Sequence, residues 1–123
     1  MIILDYQDRR PLYEQVTEKF RTLILRGILK PGEKMPSVRQ LAMDLSINPN
    51  TIHRAYMVLE QEGMIYPVKG KGNFVADTET IRRKNREEFV KELKDVVKKG
   101  IDLGVEEEEM LYIVSDICKE GRT

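Results

Sequence analysis

The sequence has one cysteine and one histidine among its 123 residues. A single thiol, Cys118, cannot close an internal disulfide, so a reducing, cytoplasmic compartment is expected. The one imidazole, His53, has no nearby cluster of His, Cys and Asp at metal-ligand spacing; it reads as a surface side chain, and no metal site is expected. No apolar run approaches the roughly 18 residues that span a bilayer, so no membrane contact is expected. The opening "MIILDYQDRR" turns to charge after a few apolar residues, too soon for a signal peptide. Internal repeats and low-complexity segments are lacking as well. No Ser, His or Asp falls in a motif that would arrange a nucleophile, and Gly70-Lys71-Gly72 lacks the spacing of a nucleotide-binding loop. Neither catalysis nor a bound cofactor is expected.

Net charge is also missing: 21 Lys+Arg balance 21 Asp+Glu. The balance hides an asymmetry. Residues 1–76 carry 11 Lys+Arg against 8 Asp+Glu, and residues 77–123 carry 10 against 13. A mildly basic front is compatible with nucleic-acid binding, provided its charge gathers on one face.

What is present is helical periodicity with clear punctuation. Residues 1–10 read as an extended arm or short strand. Leu12, Val16, Phe20, Leu23 and Ile24 recur at helical spacing, in a helix expected to start at Pro11 and stop at Gly27. Pro31-Gly32 is a turn. Ser37 with Gln40 fits a capping box for a second helix, whose buried stripe is Val38, Leu41, Ala42 and Leu45. Only "SIN" then intervenes before a third helix that buries Ile52, Ala55, Tyr56 and Leu59 and ends at Gly63. Asn48 is placed to cap it, Pro49 takes its first position, and Ile47 and Ile52 are spaced as a hydrophobic staple. Two short helices so joined are a helix-turn-helix. Ile65–Lys69 and Asn73–Ala76 read as strands around Gly70-Lys71-Gly72, with Pro67 marking an edge.

Past residue 76 the composition changes. Phe89, Val90, Leu93, Val96 and Val97 stripe one helix, and Gly100 and Gly104 are expected to bracket a break. Met110, Leu111, Val114, Ile117 and Cys118 stripe a last helix, with Glu106–Glu109 at its start and Lys119 near its end, as the helix dipole favours. Two such helices cannot make a core alone, and a second copy of the chain is the expected cover. Phe89, Leu93, Val96, Val97, Met110, Val114 and Ile117 are therefore the expected dimerisation residues, and Cys118 is expected to pack in a helix interface. The expected fold class is mostly α with a small β-hairpin: a winged helix-turn-helix over 1–76 and a two-helix dimerisation tail over 77–123.

On the third helix, Asn50, Thr51, Arg54 and Met57 point away from the buried stripe, with His53 to one side. Arginine pairs with guanine O6/N7, asparagine with adenine N6/N7, and threonine meets phosphate or a thymine methyl. Arg39 lies one residue off buried Val38, facing outward toward a DNA backbone. Lys69 and Lys71 flank glycines at the hairpin tip, where phosphate or minor groove could be met. Each residue taken singly is also what a solvated surface looks like; their joint placement on helix, turn and wing favours DNA.

The motifs "PLYEQV", "GILKPGEKMPSVRQLAMDLSINPNTIHRAYMVLEQEGMI" and "GKGNFV" strongly resemble the GntR family of bacterial transcription regulators, from Pro11 to Val75. The short tail and "NPNTIHRAY" resemble its YtrA subfamily, in which the tail serves dimerisation and the regulators are often linked to transport operons. The resemblance implies DNA contacts at Arg39, Asn48, Asn50, Thr51, His53, Lys69 and Gly70. One departure matters: Pro49 stands where better-known members have an arginine, and by helix geometry Arg54 takes up part of that role. The expected function is a homodimeric repressor that binds double-stranded DNA at an inverted repeat. The alternative is a winged-helix protein-interaction module without DNA binding. No small-molecule effector is named by the sequence.

Overall fold

Val16, Phe20 and Ile24 lie on one face of α1 (Leu12–Leu25), at the four-residue spacing that buries a helical stripe. They pack against α3 (Pro49–Gln61), which contributes Ile52, Ala55, Tyr56 and Leu59, all buried as their spacing predicts. The Phe20 and Tyr56 rings meet edge to face at 5.8 Å. Helix α2 (Val38–Leu45) closes the three-helix cluster with Leu41 and Ala42, while Val38 and Leu45 are only half-buried. The structure is a computed structural model that describes residues 2–121. It divides into two compact units, up to Glu79 and from Thr80 onward, each considered by itself.

Several local features differ from the sequence reading. Pro11 is the N-cap of α1, with extended φ −52° and ψ 145°, and not its first helical residue. The arm before it forms no strand among the described residues; Met1 lies outside them. Buried Gln15 straps that arm down instead. Its Oε1 accepts from the Asp5 N–H at 3.1 Å, and its Nε2 donates to the Arg10 carbonyl at 3.1 Å.

Helix ends follow local chemistry. Gly27 and Gly63 take positive φ just past α1 and α3, and each closes a Schellman pair. Helix α2 ends the same way on Ser46, a non-glycine held at φ 55°. At its start, Ser37 Oγ accepts from the Gln40 N–H at 3.0 Å, but the Gln40 side chain turns to Asp44, donating through Nε2 at 2.8 Å, and its Oε1 does not accept from the Ser37 N–H. The capping box is therefore half made.

The hairpin pairs β1 (Ile65–Val68) with β2 (Gly72–Val75), antiparallel, in the register Ile65 to Val75 and Val68 to Gly72. Its tip is thus Lys69-Gly70-Lys71, one residue earlier than the spacing suggested. Pro67 lies on β1, an edge strand, where its missing N–H removes no interior bond. On the far side of β2, residues 32–35 run alongside it through an isolated bridge between Lys34 and Phe74. Met35 donates to the Asn73 carbonyl at 2.8 Å and Val75 to that of Glu33 at 2.8 Å.

The second unit holds most of α4 (Glu79–Asp102), together with α5 (Glu107–Glu120). Gly100 does not break α4 but lies inside it, and only Gly104, at φ 83°, ends it. A Cβ on Gly100 would come within 2.6 Å of Met110 Cε, so the glycine is where α5 rests on α4. Met110 therefore serves packing within the tail. Neither helix buries any residue. In the single chain Phe89 is 60% exposed, Val96 65% and Ile117 60%, and Cys118 is exposed too.

Candidate nucleic-acid interface

The link between α2 and α3 is Ser46-Ile47-Asn48, and its geometry decides where α3 begins. The αL turn at Ser46 reverses the chain, and Asn48 then caps α3, its Oδ1 accepting from the Asn50 N–H at 2.9 Å. Pro49 occupies the first helical position, where its lack of an N–H wastes no donor. With Asn48 oxygen spent on the cap, its amide nitrogen is what remains for any contact. Asn50, His53, Arg54 and Met57 are exposed and Thr51 is half-exposed, all off the buried stripe.

A second hydrogen bond sets α2 against α3. The buried Tyr56 hydroxyl donates to the Pro36 carbonyl at 2.7 Å, holding the turn that leads into Ser37 and α2. Burial pushes this phenol well above its ordinary pKa of 10. Arg39, in the first turn of α2, is exposed. On the wing, the Lys71 N–H closes the tip onto the Val68 carbonyl at 2.9 Å, and Gly70 supplies the positive φ of 77° that the turn needs. Lys69, Gly70 and Lys71 are all exposed.

Two cations of the first unit are held in ion pairs among the described residues. Arg10 pairs with Asp8 and Glu18, and Arg21 makes a forked pair with Glu62. These acids hold the Arg10 guanidinium firmly charged, and Arg10 in turn keeps the Asp8 carboxyl below its usual range. All of this neutralised charge lies along α1 and its approach. Arg39, Lys69 and Lys71 make no ion pair among the described residues. Exposed positive charge outside any ion pair therefore includes α2 and the wing tip.

Arg54 is not the free side chain that spacing alone implied. Its guanidinium carbon lies 3.8 Å from the centroid of the Tyr13 ring, a cation–π contact reaching from α3 to α1. The sequence reading missed Tyr13, Tyr56 as the tie to α2, and residues 32–35 as part of the wing. Only the first had a local hint, an aromatic on the exposed side of the α1 stripe.

A tight helix-turn-helix with a polar second helix, followed by a hairpin with lysines at its tip, defines a winged helix-turn-helix DNA-binding protein. Residues 12–75 match the family described as bacterial regulatory proteins, gntR family. Similarity to the HTH-type transcriptional repressor YtrA of Bacillus subtilis (strain 168) runs through the tail as well: 37% identity over 122 residues, covering 98% of this chain and 94% of that one. The chain belongs to the GntR family, and to its YtrA subfamily; it is a transcriptional regulator and not an enzyme. A transcriptional regulator from Oenococcus oeni superposes with a TM-score of 0.68 at 30% identity, covering 96% of this chain and 99% of the other. The AraR DNA-binding domain in complex with operator ORR3 superposes with a TM-score of 0.53 at 32% identity, covering 60% of this chain and 89% of that one.

Proposed function

We propose that the chain is a sequence-specific repressor that binds an inverted repeat in double-stranded DNA as a homodimer in the cytoplasm. In this reading α3 enters the major groove. Asn50 and Thr51 face base edges there, with Asn48 and His53 at the groove's border. Arg39 meets the backbone, and the Lys69-Gly70-Lys71 tip meets phosphate or minor groove. The tail helices join two copies, so that a two-fold axis matches the symmetry of the repeat. Following the subfamily, the regulated genes are a transport operon.

The observation that carries the reading is where exposed, unpaired cations lie on the motif itself: Arg39 in the first turn of α2 and Lys69 and Lys71 at the wing tip are in no ion pair among the described residues. Unpaired cations on a protein of no net charge are what a polyanion would select. A mobility-shift titration with bulk duplex DNA across a range of salt tests it. Affinity should fall steeply with salt, with a log–log slope of about −0.9 for each phosphate contacted. Affinity that is absent at low salt, or indifferent to salt, sinks the proposal in favour of a protein-interaction module.

A further inference from the structure

We infer that Tyr13 is a positioning residue for DNA contact: its ring holds the Arg54 guanidinium, ready to grip a bidentate acceptor on the duplex. The inference rests on the DNA-binding role proposed above and goes beyond it, since Tyr13 lies on α1, outside the helix-turn-helix and the wing.

The geometry starts with helix spacing. Arg54 follows Asn50 by four residues and Thr51 by three, so the three share one face of α3. Across from that face stands Tyr13, and together with Pro11 and Leu12 these residues line one open notch. The 3.8 Å separation puts the guanidinium against the ring face. Tyr13 itself is fixed by its helix. Two turns further along α1, Phe20 is fully buried and locked edge to face with Tyr56, which is two residues past Arg54. The ring therefore sits on a rigid seam between the two helices, and Arg54 lies over the seam's exposed end.

Stacking suits a reading arginine. A guanidinium is a flat fork of five N–H donors, and a ring beneath it covers one face without taking any of them. No carboxylate pairs with Arg54 among the described residues, so its donors are not committed to an ion pair. The acceptors that fit are guanine O6/N7 and phosphate oxygens, both of which take a fork from one side. A free arginine must surrender rotamer freedom on binding, whereas one held on a ring has surrendered part of it already. This is also how the chain could recover a contact at Pro49, whose side chain offers no donor.

The test is a double-mutant cycle on duplexes selected by the wild-type protein from random sequence, with unselected duplex alongside. Tyr13→Leu should lower affinity for the selected site by about two- to fivefold, the usual worth of an exposed cation–π contact. Tyr13→Phe, which keeps the ring, should restore it. In the Arg54→Ala background Tyr13→Leu should cost nothing more. A loss confined to selected DNA assigns Arg54 to a base edge; a uniform loss with a salt slope flatter by about one assigns it to a phosphate, and either outcome supports the positioning role. In the free protein, NMR should find the Arg54 side-chain protons shifted upfield by the ring current, in wild type and Tyr13→Phe alike. That measurement on wild type needs no variant and stands whatever Tyr13→Leu does to folding. Unshifted Arg54 protons overturn the inference. So does a Tyr13→Leu loss that persists without Arg54, or a Tyr13→Phe loss as large as that of Tyr13→Leu. Wild-type protein without DNA affinity at low salt removes the proposed function itself, whereas wild-type binding with Tyr13→Leu unaffected removes only the role of Tyr13.

Discussion

Tyr56 does two jobs with one side chain. Its ring fills the α1–α3 core against Phe20, and its hydroxyl ties the turn before α2 through the Pro36 carbonyl. Tyr56→Phe keeps the ring and removes the tie, leaving that carbonyl short of a donor. The expected loss is about 1–2 kcal/mol in denaturant unfolding. The phenol also predicts a pH dependence with a definite sign. Its folded pKa lies above the ordinary 10, because burial disfavours the phenolate. The contribution of the neutral phenol to stability is therefore complete below pH 10 and lost as pH climbs past it. Tyr56→Phe should lack this alkaline component, and a comparison of unfolding at pH 8 and pH 11 checks it. Apolar spacing announced Tyr56 as a core residue. It could not announce the Pro36 bond, which joins residues 20 apart by a turn whose path only packing decides.

At the scale of elements, α3 was the most legible part of the chain. Asn48, Pro49, the four-residue stripe and Gly63 are local signals, each acting within a turn of the residue that bears it. The wing was legible as a hairpin but shifted by one residue, because Gly70 and Gly72 both accept positive φ and spacing alone does not say which closes the turn. The bridge that residues 32–35 make to it was not legible at all. Glu33 and Met35 pair with residues about 40 positions away, and Pro31-Gly32 signals only that the chain turns. For the same reason Arg54 was readable as exposed but not as stacked on Tyr13. The wing tip carries its own prediction. Lys71→Ala should weaken binding to selected and unselected duplex alike and flatten the salt slope by about one, with no change in base preference. A mobility-shift series at several salt concentrations reads all three.

For the whole molecule, the tail is where the single chain is least self-sufficient. Phe89, Leu93, Val96 and Val97 recur along one stripe of α4, and Leu111, Val114 and Ile117 are exposed on α5. Beyond the contact of Met110 at Gly100, helices that bury no residue are held mainly by backbone bonds and propensity, which is marginal in water. The proposed second copy would cover these stripes. Placing a charge in the stripe, as in Leu93→Asp with Val97→Asp, should convert a dimer to a monomer in sedimentation equilibrium at micromolar concentration. It should also weaken binding to an inverted repeat far more than to a single half-site. A wild-type chain that sediments as a monomer under those conditions removes the dimer from the proposal.

The bare faces of α4 and α5 also bear on how the protein persists in a cell. If folding of the tail is completed by association, stability depends on how many copies are present. At low abundance the tail helices would open often and be the first segment a protease meets. At high abundance they would be shielded. Scarcity would then shorten the regulator's lifetime as well as thin its occupancy of DNA, and the decline of its signal would be steeper than dilution alone.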